Sequence, residues 1–221
     1  MKGDRTRAAI LERAVDIASV EGLEGLTIGR LADELKMSKS GLFAHFGSKE
    51  ELQLATVDAA RQRFVNEVFR PALKTERGYP RLQEICRSWL DYVDRDVFPG
   101  GCFFAAASFE FDSRSGPVRD AIASMMDDWI GAIEKAVEMA QAEGHLDPDI
   151  EPAQLSFEIN ALFFGANFAH NMRHDHGAVE RARVAIEHRL ESLHIEATPA
   201  AIEPQLVVPR RAQTARADFI D

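Results

Sequence analysis

Apolar residues recur at helical spacing along almost the whole chain, and the one β-like run, Leu206-Val207-Val208, is too short to build a sheet. From Thr6 to Val20, the residues Ile10, Leu11, Ala14, Ile17 and Ala18 share a face, and Gly22 stands where a C-terminal cap belongs. Thr27 is placed to cap a short second helix whose Ile28, Leu31, Ala32 and Leu35 point inward. Ser38 caps a third, running to about Phe46. Ser48 and Glu51 have the separation of a capping box and open a long fourth helix towards Arg70. Pro71, Gly78 and Pro80 then break the pattern.

The second half repeats this grammar. Leu82 to Asp96 carries Ile85, Trp89 and Val93 on one side, and Phe98-Pro99-Gly100-Gly101 reads as a turn before an apolar block from Cys102 to Phe111. A long helix starts near Pro117 with the stripe Val118, Ile122, Met125, Trp129, Ile133, Val137 and Ala140, and ends at Gly144. Two more are predicted, from Pro152 to about His174 and from Gly177 to Leu193. The expected architecture is all-α. It divides into a small helical head at residues 1–52, a helical body at 53–195 and a tail at 196–221. The tail holds Pro199, Pro204 and Pro209 and few core-forming residues, so it is expected to be disordered.

Two short helices joined by a turn at Lys36-Met37-Ser38 have helix-turn-helix dimensions. The second of them, Lys39 to Phe46, suits a groove. Ser40, Gly41 and Ala44 are small enough to let backbone approach base edges, Lys39 and His45 supply donors, and Leu42 and Phe46 anchor the helix from behind. A mid-helix glycine costs about 1 kcal/mol against alanine, and close approach to DNA or to the preceding helix would justify Gly41. Three capped N-termini, at Thr27, Ser38 and Ser48, offer N–H groups to phosphates, with Lys49 beside the third.

A net charge of −10 opposes this reading until its distribution is seen. Residues 1–50 hold eight Lys/Arg against eight Asp/Glu, and Leu35 to Lys49 contains Lys36, Lys39 and Lys49 with no acid. The remaining residues carry the entire deficit. Phosphates sense charge mostly within about 10 Å, so a basic patch on an acidic body is compatible with DNA binding.

The run from Thr27 to Leu52 resembles the TetR family of bacterial repressors. Thr27, Ser38, Lys39, Leu42, Phe43, His45, Phe46, Ser48, Lys49 and Leu52 stand in register with the family's motif, which covers residues 6–52. The resemblance implies phosphate contacts from Thr27, Ser38, His45 and Lys49, and base or groove contacts from Lys39, Ser40, Gly41 and Ala44. Phe43 stands where the family commonly has tyrosine; it keeps the ring and loses the hydroxyl that would reach a phosphate.

Nine of the 14 phenylalanines lie between Phe98 and Phe168, in the body. The helix from Pro152 is apolar on two faces, Leu155, Ile159, Leu162 and Ala166 on one, and Phe157, Ala161, Phe164, Gly165 and Phe168 on another. A helix hydrophobic all round needs two partners. One face is expected to join the chain's own core and the other a second subunit, together with Val179, Ile186 and Leu190. The resemblance agrees, since the family pairs its last two helices with those of a twin. Trp89, Tyr92, Phe103, Phe104, Met125, Met126, Trp129 and Phe163 could line an effector cavity, with Ser108, Asn160 and Asn167 as polar fixtures. Plain core is the competing reading of the same residues.

His170 and His174 lie one turn apart with His176 nearby, but no further ligand completes a metal site, and Cys86 and Cys102 have no metal or redox spacing. No cofactor or metal is expected. The sequence lacks G-x-S-x-G, G-x-G-x-x-G, H-E-x-x-H and C-x-x-C, which argues against an enzyme. No apolar run approaches the roughly 20 residues of a membrane span, and the N-terminus lacks the apolar stretch of a signal peptide, so no membrane partner and a cytoplasmic location are expected. The expected function is a dimeric repressor that binds a palindromic DNA operator and is released by a small, largely apolar ligand. The alternative is a DNA-binding regulator that answers to a protein partner or is constitutive.

Overall fold

The structure, a computed structural model, describes residues 2–195. Among the described residues ten α-helices follow one another: α1 (Lys2–Glu21), α2 (Ile28–Leu35), α3 (Lys39–Phe46), α4 (Lys49–Phe64), α5 (Arg70–Ala72), α6 (Tyr79–Asp94), α7 (Phe103–Phe111), α8 (Pro117–Ala142), α9 (Pro152–Arg173) and α10 (Ala178–Leu193). The tail expected to be disordered lies outside the described residues, as does Leu206-Val207-Val208.

The head is assembled by caps. The hydroxyls of Thr27, Ser38 and Ser48 accept the backbone N–H groups of Arg30, Gly41 and Glu51 at 3.0, 3.1 and 3.0 Å. Each bond satisfies one of the donors a helix start leaves open, and each contributes about 1 kcal/mol. Between α2 and α3 the chain turns on Lys36, held in the left-handed region at φ 52°. Leu31, Leu42, Leu26 and Leu52 are fully buried, in one cluster with Ile10, Ala14 and Ile17 of α1.

The fourth helix does not run evenly to Arg70. A π-helical turn, Val65–Phe69, separates α4 from the short α5. Five residues apart, Phe64 and Phe69 would diverge around a regular helix of 3.6 residues per turn. With the wider turn both rings meet Trp129 edge-on, at 5.3 and 5.6 Å. Phe64 also touches Tyr92 and Phe104, which makes it the centre of the body's aromatic core.

Around that centre α6 packs on α8 and α10, and α8 and α10 both pack on α9. The buried stripe of α8 includes Val118, Ile122, Met125, Trp129, Ile133, Val137 and Ala140, the residues expected from the sequence. One buried cluster runs without a break from Ile10 to Leu190, across the expected boundary at residue 52, which falls in the first turns of α4. The isolated bridge between Leu146 and His194, with Ile195 N–H donating to His145 O at 2.9 Å, ties down the end of α10.

Candidate nucleic-acid interface

On α3 the two faces separate as helical spacing demands. Leu42 and Phe46 are buried, while Lys39, Ser40, Phe43 and Ala44 are exposed and form one outward surface, flanked by the exposed Ser38. Phe43 is 56% exposed, its ring standing out from the helix. A Cβ at Gly41 would lie 3.0 Å from the Ser38 hydroxyl, so the glycine also keeps the cap geometry open. The end of the Lys39 side chain lies on the Gly29 side, where a Cβ on that glycine would stand 3.6 Å from its ammonium.

His45 is half-buried beside Phe46 and borders an open hollow of about 340 Å³ with Arg7, Glu51 and Leu54. The Arg7 guanidinium stands 5.2 Å above the Phe46 ring, a cation–π contact that carries its charge to this side of the head. Sequence reasoning passed over Arg7 because an arginine in the second turn of α1 has no spacing signal that links it to α3.

Lys49 is not a free cation. Its ammonium donates to the Glu24 carboxylate at 2.7 Å, both side chains being about two-fifths exposed. The second Glu24 oxygen receives the Arg114 guanidinium at 3.0 Å, and Gln53 donates to it at 3.4 Å. The hydrogen bond from Lys49, that from Gln53 and the charges of Lys49 and Arg114 together hold Glu24 below the ordinary carboxylate range. Beside it, Glu110 of α7 accepts the backbone N–H groups of Leu23 and Glu24 at 2.8 and 2.9 Å. The loop that leads into Thr27 is thus held by the body. Glu24, Glu110 and Arg114 escaped the sequence reading, since their partners are 25 to 90 positions away and no local pattern links them.

In the body, Trp89, Phe104, Met125, Met126, Trp129 and Asn160 do converge, together with Cys102, Ala105 and Phe164. They close on a slot of about 10 Å³, room for at most one water. The drug-sized cavity expected from the supply of rings is not open in this conformation, because the rings fill one another's gaps: Trp89 stacks on Phe163 at 4.2 Å and Phe163 tilts against Trp129 at 5.9 Å. Tyr92, Phe103 and Phe163 are core residues outside the slot, each at most 2% exposed. The polar fixtures are committed elsewhere. Asn160 accepts the indole N–H of Trp129 at 3.1 Å, Asn167 accepts the Cys102 N–H at 2.8 Å, and the Ser108 hydroxyl donates to its own helix at Phe104 O. A wider cleft of about 310 Å³ lies between α6 and α10, with Cys86, Leu90, Ile186 and Leu190 inside and Glu84, Arg87 and Glu187 along it.

The two faces of α9 are as the sequence implied. Leu155, Ile159 and Ala166 are buried, whereas Phe157 at 69%, Phe168 at 58% and Met172 at 73% are exposed. Ala161 and Gly165 lie exposed between them, and the exposed Phe109 of α7 meets the half-buried Phe164 edge-on at 5.5 Å. Val179, Ile186 and Leu190 need correction as surface residues. All three are at most 2% exposed, because α10 turns that stripe onto α6 and α9 of its own chain.

His170 faces Asp96 at 3.5 Å and His176 ring to ring at 5.4 Å. No group of three metal-binding side chains occurs among the described residues, and no described helix is long and apolar enough to cross a membrane. Cys86 and Cys102 are both buried, and burial pushes the Cys86 thiol up to about 12.

An all-helical chain with a capped helix-turn-helix, whose second helix presents its small and basic residues outward, has the build of a DNA-binding transcriptional regulator. The comparisons with known proteins name the kind. Residues 10–56 match the family model described as bacterial regulatory proteins, tetR family, and residues 78–186 match the tetracyclin repressor-like C-terminal domain. The chain belongs to the TetR family of transcriptional regulators. Among solved structures, a TetR transcriptional regulator from Chloroflexus aurantiacus J-10-FL superposes with a TM-score of 0.81 at 22% identity, covering 87% of this chain and 98% of that one. A TetR-family regulator from Cytophaga hutchinsonii gives 0.77 at 19% identity over 89% and 98%. A transcriptional regulator from Saccharomonospora viridis, in complex with choline, gives 0.70 at 21% over 87% and 99%. At these identities the likeness is one of fold.

Proposed function

We propose that this chain is a dimeric repressor that occupies a two-fold symmetric DNA site, one reading head per half-site. Lys39, Ser40, Gly41, Phe43 and Ala44 face the major groove, and Thr27, Ser38, His45 and Lys49 face the flanking phosphates. The observation that carries this reading is the outward surface of α3, where a 56%-exposed phenylalanine stands among small and basic residues. Its support for a dimer is the apolar strip of α9, Phe157, Ala161, Phe164, Gly165 and Phe168, extended by Phe109 of α7. A strip of this kind is costly to leave in water, and small residues at its centre allow close approach of a second helix. Docking of the pair places the two α3 helices about 34–36 Å apart, one turn of DNA. Selection of bound sequences from a random duplex pool tests the reading: enrichment of a two-fold symmetric site is expected, and no enrichment above input overturns it.

Control of the repressor is the second part of the proposal. The closed slot beside Trp129 favours a regulator that answers to a protein partner, or to none, over one whose apolar ligand sits among those rings. It leaves the cleft of about 310 Å³ between α6 and α10 as the open space for a ligand. The Saccharomonospora viridis relative was solved with choline, and a molecule of that kind needs more room than about 10 Å³. A thermal-shift screen of apolar compounds separates the two. No stabilising compound is expected; one that both raises Tm and releases DNA restores the ligand-gated reading.

A further inference from the structure

The feature least explained by DNA binding is that Lys49, beside the capped start of α4, is already paired. Glu24 holds its ammonium at 2.7 Å, and the same carboxylate is reached at 3.0 Å by Arg114, which belongs to the body. Two cations from different parts of the molecule share one anion. A phosphate approaching Lys49 must therefore compete with Glu24, and it also meets that carboxylate's negative charge.

Arg114, three residues past the end of α7, is set by that helix. Its Nε donates to the Glu110 carbonyl at 3.0 Å and its guanidinium lies 4.8 Å above the Phe111 ring. Glu110, one turn earlier, grips the Leu23 and Glu24 N–H groups, so α7 delivers both contacts to the same loop. The other end of α7 is fixed to α9, where Asn167 accepts the Cys102 N–H, and Phe104 of α7 lines the slot. The helix is a strap from the core of the body to the loop beside Lys49.

We propose that Glu24 is a positioning residue for DNA binding, a competitor that withholds Lys49 from phosphate to a degree set by Arg114. With Arg114 on the carboxylate, Lys49 is held loosely and transfers readily to DNA. With Arg114 drawn away, Glu24 holds Lys49 more tightly and binding weakens. Any shift of α7 is read at the phosphate backbone without α3 itself changing. This rests on the DNA-binding reading above and adds to it a residue that opposes binding.

The experiment uses the full chain and random-sequence duplex DNA, since phosphate contacts need no operator. An exposed ion pair is worth up to about 1 kcal/mol, so Glu24→Gln is expected to tighten binding up to about fivefold per head. The salt slope should steepen by up to about one unit, because Lys49 no longer leaves behind a carboxylate that takes up a cation when it moves to phosphate. Arg114→Gln is expected to weaken binding about two- to fivefold, and to have no effect in the Glu24→Gln background. Lys49→Met in the Glu24→Gln background should abolish both the gain and the added slope. Equal or weaker binding by Glu24→Gln, in protein whose circular dichroism and Tm match the wild type, overturns the proposal while leaving DNA binding intact. Loss of DNA binding by the wild-type chain itself at low salt would overturn the DNA-binding reading instead.

Discussion

Trp129 donates its indole N–H to Asn160 Oδ1 at 3.1 Å, joining α8 to α9 across the middle of the body. Trp129 is 3% exposed, so this bond is made away from water and its loss is felt. Asn160→Leu should destabilise the fold by about 1–3 kcal/mol, the cost of leaving a buried donor unpaired. Tyr92 is the control. Its hydroxyl is buried with no well-formed hydrogen bond, only the weak partners Cys102 Sγ and the Phe103 backbone beside it, and burial, with Cys102, holds it well above the ordinary phenol range. Tyr92→Phe should leave stability unchanged or raise it by about 1 kcal/mol. Urea unfolding of both variants checks the pair; a stable Asn160→Leu or a damaged Tyr92→Phe would show that the body is packed otherwise.

Burial also separates two classes of apolar substitution near the expected dimer face. Phe168 is 58% exposed on α9, whereas Ile186 of α10 is 2% exposed and packs within its own chain. Phe168→Asp should give a folded monomer with weakened DNA binding. Ile186→Asp should prevent folding, since a carboxylate there is buried without a partner. Sedimentation and circular dichroism distinguish these outcomes. A dimer that survives Phe168→Asp would move the interface away from α9.

The contrast between those residues marks what the sequence could convey. Caps at Thr27, Ser38 and Ser48 were legible because each acts on an N–H group three positions away. The apolar stripes of α8 and α9 were legible because helical periodicity names a face. Periodicity does not say which neighbour that face meets, which is why the inward turn of Val179, Ile186 and Leu190 was missed. Nor does a supply of aromatic rings say whether they leave a gap; Trp89, Phe163 and Trp129 close theirs by mutual packing. The Glu24 junction joins residues from three separate stretches, and only the folded chain brings them together.

Acid should loosen the head before neutral pH does anything to it. Arg30 donates to Glu21 at 2.8 Å and to Glu34 at 3.0 Å, and these bonds, with the one from Arg13 to Glu34, hold both carboxyls below their ordinary value of 4.5. A carboxyl with a lowered folded pKa contributes stability above its unfolded pKa and loses it as pH falls through the folded one. Tm should therefore be flat from neutral pH down to about 5 and fall below about 4.5, where these groups begin to take up protons. A Glu21→Gln, Glu34→Gln double variant should show a shallower acid limb. An unchanged limb would place the acid sensitivity in other carboxylates.

Phe43 offers the sharpest test of how the head reads sequence. It lies on the outward face of α3 one turn after Lys39 and Ser40, 56% exposed and without the hydroxyl that would direct it to a phosphate. An exposed ring on a groove-facing helix gains by meeting an apolar group, and the one apolar group on a base edge in the major groove is the thymine methyl. We expect Phe43 to select thymine at one position of each half-site. Replacing that thymine with uracil keeps every hydrogen bond and removes only the methyl. At about 0.8 kcal/mol per buried carbon, wild-type affinity should fall about fourfold per half-site. Phe43→Ala should bind both sequences alike, having nothing with which to sense the methyl. Phe43→Tyr should keep part of the discrimination, because the ring remains. Equal binding of the thymine and uracil duplexes by the wild type, measured at one salt concentration on the selected site, would remove Phe43 from base reading and leave it a surface ring beside the phosphates.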